Sequence, residues 1–533
     1  MSARTYSRAG SLLLGIAALA AQAAAPAWGQ KYGGTLRGAL VESWPSLSIH
    51  EEATITTEWP VSPMYNNLVL YDPARPTESA QYLVGELAES WAWSDGSKRL
   101  TFKLRRGVRW HDGKPFTAAD VKYTFDLVRG VSEKRLKLNP RKPWYENVQD
   151  IVTQGDVEVA FLLKRPQPSL LSLLATGLAP IYPAHVDPAE LRTRTMGTGP
   201  FRLKEALPDQ SLLMERNPDY FVKGRPYLDA IRYIVIKARP ARTAALIAGD
   251  IDTVMPGMSS RAMRDQVRAA VPSMVVHEVS FGSTDNILVN TRKPPFDELK
   301  VRQAVNLALD RRAAIKAAAD GFGVLGGAIL PPPYGAWGLA EADVLKLPGY
   351  GDPVRDKAEA RRLLAEAGYG PGKPLKVTVS TRAWDVYVDV ANWVLDQIRQ
   401  VGIEGTLETV ETGVWYGRLG RREFQIAINV TGVAPEVPDG NLIENYTCGS
   451  QRNYTDFCSK EIEALIVQQS QELDPAQRLK LVHEIDRRLQ IEVARPILDH
   501  KLDAFMHWPH VKGLLPHNNI NNFGRMQDVW LDK

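Results

Sequence analysis

The chain has 533 residues, of which 44% are hydrophobic, and its 65 basic and 61 acidic residues give a formal net charge of +4 at pH 7. So mild a charge gives no indication of nucleic-acid binding, and we expect no nucleic-acid partner. A single hydrophobic core rarely extends beyond about 250 to 300 residues, so a chain of this length is expected to fold as two lobes.

The first 29 residues predict a secretory signal peptide. Arg4 and Arg8 precede an apolar run over residues 11–25, and the sequence Pro-Ala-Trp-Gly follows it. A membrane anchor is the alternative, but a spanning helix needs about 20 apolar residues, and this run is shorter and contains Gln22. No Cys lies near the cleavage region. We therefore expect a free periplasmic protein that is not a lipoprotein.

Residues 85–126 (GELAESWAWSDGSKRLTFKLRRGVRWHDGKPFTAADVKYTFD) predict a β-hairpin followed by a helix. Leu100, Phe102 and Leu104 alternate with polar residues, which is the period of a strand with one buried face. A Ser-Asp-Gly-Ser sequence supplies the turn, and Thr117 is the expected N-cap of the helix. This pattern alone occurs in many folds.

Helices and strands alternate through the rest of the chain. Residues 231–236 form a nearly continuous apolar strand, which indicates a central place in a sheet. One helix is predicted over residues 300–319, and another begins at Pro475 with Asp474 as its N-cap. Strands between such helices, as at residues 375–379, complete an α/β pattern.

Cys448 and Cys458 are the two cysteines of the chain, and ten positions separate them in a loop-like segment. In an oxidising compartment this spacing predicts a disulfide between them. A two-cysteine metal site is the alternative, but no His lies nearby and there is no second pair of cysteines.

Several motifs, in the same order along the mature chain, resemble the family 5 solute-binding proteins, which are periplasmic receptors of peptide, nickel and opine ABC importers. Besides the hairpin segment, the motifs lie at residues 197–203, 217–220, 248–252, 301–310 and 453–455. The resemblance implies an α/β fold with the two lobes of a periplasmic binding protein (class II type, cluster C) and an extra subdomain in lobe I. Such lobes close on a ligand by hinge motion.

The resemblance also implies where the parts of the chain lie. After the signal peptide, the expected order is the first part of lobe I (30–64), the extra subdomain (65–187), the second part of lobe I (188–280), lobe II (281–500) and a C-terminal return to lobe I (501–533). The chain would thus cross between the lobes near Ser280 and near residue 500. The hairpin then belongs to the subdomain and has a structural role.

Dipeptide-binding members of the family hold the ligand's amine with an Asp in a lobe II segment. The similar segment here contains Thr431, Gly432 and Val433, and Val433 stands where that Asp is expected. A buried charge needs a compensating partner, so the loss of the clamp puts an ordinary free peptide in doubt. Glu436 or Asp439 in the same loop could replace the missing carboxylate.

The same relatives bind the ligand's carboxylate with an Arg that an aromatic residue follows two positions later. Arg382 and Trp384 match this arrangement, and a guanidinium suits a carboxylate because it can donate two parallel hydrogen bonds. A surface Arg beside a core Trp is the alternative. Trp415 and Tyr334 lie in segments expected to approach the cleft, where aromatic walls are common; each could equally be a packing residue.

These residues predict a monomeric periplasmic receptor of an ABC importer that captures a peptide or peptide-like carboxylated solute and delivers it to permease subunits in the inner membrane. A receptor for an opine, a sugar derivative or a metal chelate is the alternative. A secreted hydrolase is less favoured, because the chain contains no Gly-x-Ser-x-Gly motif and no metalloprotease helix. A chaperone-like binder, which would prefer unfolded chains to small solutes, is less favoured because the resemblance is to solute receptors. We expect no catalytic residue, no metal site and no cofactor.

Overall fold

A computed structural model describes residues 29–52, 54–432, 436–519 and 525–533. The predicted signal peptide lies outside the described residues except for Gly29, and so does Val433. Within the described residues, no helix has both the length and the apolar character needed to cross a membrane.

The strands are numbered in chain order. They are β1 (Thr35–Leu40), β2 (Val69–Tyr71), β3 (Leu83–Gly85), β4 (Ala88–Ser94), β5 (Arg99–Leu104), β6 (Val148–Gln154), β7 (Glu158–Leu163), β8 (Phe201–Leu207), β9 (Ser211–Arg216), β10 (Ala230–Val235), β11 (Thr253–Val254), β12 (Val275–Val289), β13 (Gly323–Val324), β14 (Leu375–Arg382), β15 (Ile403–Val410), β16 (Ile426–Gly432), β17 (Ile497–His507), β18 (Val511–Lys512) and β19 (Trp530–Leu531).

The α-helices are numbered in the same way. They are α1 (Ile55–Val61), α2 (Ala118–Arg129), α3 (Leu170–Ala175), α4 (Arg239–Ala248), α5 (Arg261–Ala270), α6 (Leu299–Ala308), α7 (Arg311–Ala317), α8 (Glu341–Val344), α9 (Pro353–Glu366), α10 (Asp385–Arg399), α11 (Thr412–Gly420), α12 (Pro438–Tyr446), α13 (Lys460–Gln471) and α14 (Pro475–Ile491).

One large sheet runs through the molecule in the order β15-β14-β16-β12-β17-β11-β1-β10-β9-β8. We call the part built on β1 and β8 to β11 lobe I, and the part built on β14 to β16 lobe II. Each lobe has its own apolar core: the lobe I cluster includes Leu36, Phe102 and Tyr233, and the lobe II cluster includes Val305 and Val379. The α/β fold and the two lobes are those that the sequence predicts.

The two lobes share the long strands β12 and β17. These strands pair antiparallel from Val275 opposite His507 to Asn286 opposite Ile497, and the register shifts between Ser280 and Thr284. β12 pairs with β16 on the lobe II side, and β17 pairs with β11 on the lobe I side. Two strands, β12 and β17, therefore connect the lobes, and the hydrogen bonding between these two strands is irregular where the register shifts.

The predicted hairpin is β4 and β5, which belong to a separate four-stranded sheet, β4-β5-β7-β6. α2 begins directly after Thr117, as expected, and the Thr117 backbone N–H donates to Asp120 Oδ2 at 2.9 Å. Leu100, Phe102 and Leu104 are buried. The alternating pattern thus identified the buried face of this strand correctly.

The helix predicted over residues 300–319 is wrong as a single element, because the structure divides it into α6 and α7. Leu309 and Asp310 have extended backbone between the two helices, and Asp310 Oδ1 accepts a hydrogen bond from the Ala313 backbone N–H at 3.0 Å. An Asp that caps a following helix interrupts a pattern that its apolar neighbours would continue. Asp474 caps α14 in the same way, as predicted.

The strand predicted over residues 231–236 is β10, which lies between β1 and β9. Its position in the sheet agrees with the prediction, but Arg232 is exposed, so the strand is not covered on both faces.

The disulfide between Cys448 and Cys458 is present, with their Cα atoms 4.8 Å apart. It closes the loop between α12 and α13 and confirms the pairing expected from the sequence.

Candidate functional site

A cavity of about 70 Å³ lies between the two lobes. Thr54, Ile55 and Gly257 line it from lobe I, and Val430 and Gly432 line it from lobe II. Its aromatic wall is formed by Trp144, Phe281, Trp384, Tyr387 and Tyr416. Its charged residues are Glu58, Arg141, Arg382, Glu444, Arg452 and Lys501. A concave site with aromatic walls and a few buried polar groups is the usual form of a small-ligand site.

Arg382 ends β14 and is almost completely buried against the cavity, with 1% of its surface exposed. Its guanidinium donates to Thr412 Oγ1 from Nε at 3.0 Å and from Nη2 at 2.8 Å, and from Nη1 to the Tyr387 hydroxyl at 3.2 Å. The guanidinium carbon lies 3.6 Å from the centre of the Trp384 ring. The structure thus brings the predicted pair Arg382 and Trp384 together, and it holds the guanidinium in a fixed orientation.

Glu42 reaches this group from lobe I. It follows β1, and its carboxylate accepts hydrogen bonds from Arg382 Nη2 at 2.8 Å, from Trp384 Nε1 at 2.5 Å and from the Thr412 hydroxyl at 2.8 Å. All three donors belong to lobe II, so this carboxylate bridges the two lobes. A protein carboxylate therefore contacts the guanidinium that the family resemblance assigns to a ligand carboxylate.

A second group of buried charges also joins the lobes. Arg141 Nη2 lies 3.2 Å from Glu58 Oε1, and Arg141 Nη1 lies 3.7 Å from Glu444 Oε1. The same Glu444 oxygen lies 2.7 Å from Arg452 Nε. Glu58 and Arg141 come from lobe I, whereas Glu444 and Arg452 lie on α12 and the disulfide loop of lobe II. Burial raises the pKa of Glu58 to about 7, although Arg141 and Arg452 oppose this shift.

Lys501 is the fourth cation at the cavity and lies on β17. Its ammonium nitrogen is 3.0 Å from Asp285 Oδ2 on β12. Burial, followed by the nearby charge of Asp285, raises the pKa of Asp499 well above its ordinary value. A charged group thus lies on each of the two strands that connect the lobes.

The segment predicted to face the ligand divides into residues with different surroundings. Gly432 lines the cavity, whereas Thr431 is buried behind it, and its hydroxyl contacts the side chains of Asn286 and Arg495. Glu436 is not among the lining residues: its Oε1 accepts a hydrogen bond from the Ala80 backbone N–H at 2.8 Å.

The two other aromatic candidates do not line the cavity. Trp415 is buried in an apolar cluster with Val410 and Leu419, and its Nε1 donates to Asn429 Oδ1 at 3.4 Å. Tyr334 is half-buried in a loop away from the cavity. The neighbour of Trp415, Tyr416, is the aromatic residue of that pair that reaches the cavity.

Sequence reasoning missed most of the charged lining. Glu58 is the one charged residue of α1, and Lys501 lies on a strand, β17, whose residues are mostly buried. A charge within an otherwise uncharged segment is a signal that could have identified Glu58, because an ionised group in the interior requires a partner. Lys501 stands between Asp499 and Asp503 in the sequence, where charges alternate, so no such signal marked it. Arg141 and Arg452 lie in loops and carry no comparable signal.

The sequence and the fold of the chain are both similar to those of known proteins. A probable di/tripeptide-binding protein of Pseudomonas aeruginosa is 26% identical over 503 residues, which is 88% of this chain and 90% of that relative. The oligopeptide-binding protein AppA of Bacillus subtilis, solved with a nonapeptide, superposes with a TM-score of 0.82 at 24% identity, covering 95% of this chain and 100% of that one.

A periplasmic binding protein, DppA of Helicobacter pylori, solved with the peptide STSA, superposes with a TM-score of 0.83 at 21% identity, covering 94% of this chain and 99% of that one. Similarity at this level of identity establishes the fold. The family model described as bacterial extracellular solute-binding proteins, family 5, middle part, matches residues 82–453. The chain therefore belongs to the family 5 bacterial extracellular solute-binding proteins.

Proposed function

We propose that the chain is a periplasmic receptor that captures a short peptide or a peptide-like solute with a carboxylate, and delivers it to the permease subunits of an ABC importer in the inner membrane. The observation that carries this proposal is the cavity between the lobes, whose walls combine aromatic rings with buried charges of both signs. Aromatic walls bury a large ligand surface at little cost in side-chain entropy. The relatives named for peptide binding support the choice of ligand class.

The charge balance of the cavity favours a solute that carries both an acid and a base. Arg382 is paired with Glu42 and Lys501 with Asp285, while Arg141 and Arg452 share Glu58 and Glu444. Each cation therefore already has a protein carboxylate nearby. A zwitterion adds no net charge to such a site, and unpaired charge in a buried site is costly.

Arg382 is the proposed partner of the solute's carboxylate. Its fixed guanidinium suits a carboxylate, but in this conformation Glu42 occupies that place. The solute's carboxylate and Glu42 would thus compete for Arg382. Entry with the lobes apart, which separates Glu42 from Arg382, removes this competition at the moment of capture.

Closure of the lobes is the proposed mechanism of capture, and its hinge lies where the register of β12 and β17 shifts, between Ser280 and Thr284. The proposed boundaries of lobe II are residues 281 and 500. Hinges are short segments that absorb a change in backbone angles. A ligand shifts the equilibrium toward the closed form to the extent that it binds that form more tightly.

The proposed receptor role also implies where the protein is located and that it carries out no reaction on its ligand. We place the mature protein free in the periplasm, released from the predicted signal peptide and not anchored as a lipoprotein. It returns its ligand chemically unchanged, because capture and delivery require no bond to be broken.

The test is mass spectrometry of the small molecules that are released when the protein, purified gently from its own periplasm, is denatured. We expect a stoichiometric peptide or peptide-like acid that is lost from Arg382→Ala. Arg421→Ala is the matched control, since Arg421 is an exposed lobe II arginine whose partner is Glu423. Retention of the same acid by Arg382→Ala would overturn the role of Arg382, and a ligand without any carboxylate would overturn the proposed ligand class.

A further inference from the structure

The two acids proposed to replace the missing Asp of lobe II, Glu436 and Asp439, are both engaged elsewhere. Glu436 accepts from the Ala80 backbone and does not line the cavity. Asp439 is fully buried, and its carboxylate accepts hydrogen bonds from Arg478 Nη2 at 2.6 Å, Gln469 Nε2 at 2.7 Å and the Ser470 hydroxyl at 2.8 Å. Since these donors already use both oxygens of Asp439, neither acid is placed to receive an ammonium from the cavity.

Two other carboxylates, those of Glu58 and Glu444, line the cavity within the part of the chain that the structure describes. Glu444 lies between two guanidinium groups, 2.7 Å from Arg452 Nε and 3.7 Å from Arg141 Nη1. Its charge is therefore already compensated from both sides. An arriving ammonium would be repelled by both guanidinium groups and would have to displace one of them to reach Glu444.

Glu58 also feels the charge of both Arg141 and Arg452, but among the described residues it forms an ion pair with Arg141 alone. Among the described residues, Arg141 is the one hydrogen-bonding partner of its carboxylate, through Oε1 at 3.2 Å. Thr54 and Ile55, one turn earlier, also line the cavity, so this part of lobe I faces the space that a ligand would enter. The Glu58 side chain is 8% exposed. A carboxylate so deeply buried and so lightly bonded gains much from a second cationic partner.

The structure assigns to Glu58 the role of holding the ligand's ammonium group, from lobe I, in place of the Asp that the lobe II segment lacks. This inference rests on the proposed function and narrows it: the solute bears a free amine, as an unmodified peptide does. Arg141 is a positioning residue, because its bond to Oε1 orients the carboxylate toward the cavity. An ammonium at Glu58 and an acid at Arg382 would span the cavity between the lobes.

The test compares free and N-acetylated peptides. A set of unmodified dipeptides and tripeptides is screened against the purified protein by calorimetry, and the tightest binder is then measured beside its N-acetyl derivative. We expect the wild-type protein to prefer the free amine by about tenfold or more, the effect of a hydrogen bond to a charged group. Glu58→Gln should reduce this preference to near unity.

Glu436→Gln is the matched control, because burial also raises the pKa of Glu436 to about 7 but its side chain does not line the cavity. It should keep the wild-type preference. A preference that survives in Glu58→Gln, or that disappears in Glu436→Gln, overturns the inference. If no unmodified or acetylated peptide binds the wild-type protein, the peptide function fails, and the role of Glu58 fails with it.

A second measurement needs no variant and so does not depend on Glu58→Gln folding. Because burial raises the pKa of Glu58 to about 7, an ammonium that binds the ionised carboxylate favours release of the proton from its protonated form. The charged groups that face this carboxyl are Arg141, Arg452, Glu444 and Glu52, and burial raises the pKa of Glu52 to about 8. Calorimetry of the wild-type protein in two buffers of different ionisation enthalpy should therefore detect proton release when the free peptide binds, and none when its acetylated form binds. Equal release by both forms would contradict the inference.

Discussion

Replacing Glu42 by alanine is expected to make the receptor more selective for ligands with a free carboxylate. Glu42 accepts three hydrogen bonds from lobe II in the structure, and Arg382 is its partner at 2.8 Å. Without Glu42, the guanidinium of Arg382 loses the one carboxylate that it contacts among the described residues. A ligand carboxylate would then meet a buried, uncompensated cation and no competitor.

The magnitude follows from the burial of the pair. Removal of one partner from a buried ion pair costs about 3 to 5 kcal/mol, because the other charge is left uncompensated. The Glu42 side chain is 15% exposed and that of Arg382 is 2% exposed, so the lower end of this range applies. We therefore expect the closed form without ligand to lose about 3 kcal/mol. A carboxylate that replaces Glu42 should restore at least the 1.5 kcal/mol or so of a charged hydrogen bond, which is about tenfold in affinity.

The assay is the ratio of the affinities of a peptide acid and its C-terminal amide, measured by calorimetry. Glu42→Ala should raise this ratio about tenfold above the wild-type value. Glu411→Ala is the control, because Glu411 is an exposed acid that directly precedes α11 and Thr412. An unchanged ratio in Glu42→Ala, or an equal rise in Glu411→Ala, would refute the competition between Glu42 and the ligand.

The remaining predictions concern stability. Replacement of both Cys448 and Cys458 by serine should lower the free energy of unfolding by about 3 kcal/mol, the chain-entropy value for so short a loop. Denaturant titration of the whole protein measures this loss. A midpoint equal to that of the wild type would contradict it. Asp439→Asn should cost about 3 to 5 kcal/mol, because it leaves Arg478 buried without its anion. The thermal midpoint measures this loss, with the exposed Asp474→Asn as control, and an equal decrease in both variants would argue against the buried pair.

Local sequence patterns predicted the elements that depend on neighbouring residues. The alternation in β5 and the cap at Asp474 depend on residues a few positions apart, and both are confirmed. The break between α6 and α7 was missed because the apolar pattern continues through it, while the Asp310 cap decides it. The chain has two cysteines, so one disulfide within the chain was possible, and the structure contains it.

The candidate site was predicted less completely. Arg382 and Trp384 were found through the family resemblance, and the structure puts them together at the cavity. Trp415 was selected instead of its neighbour Tyr416, because two adjacent aromatic residues on a helix give no indication in the sequence of which one faces the cavity. The orientation of α11 in the folded protein decides that Tyr416, and not Trp415, faces the cavity.

The sequence by itself determined the family, the α/β class and the local elements, because these follow from motifs and from periodic burial. The tertiary structure alone decided which charges meet. Glu42 and Arg382 are 340 positions apart, and Arg141 meets Glu444 across the two lobes. Such pairs depend on how two lobes approach each other, and an ion pair depends on distance in space, on which sequence separation carries no information.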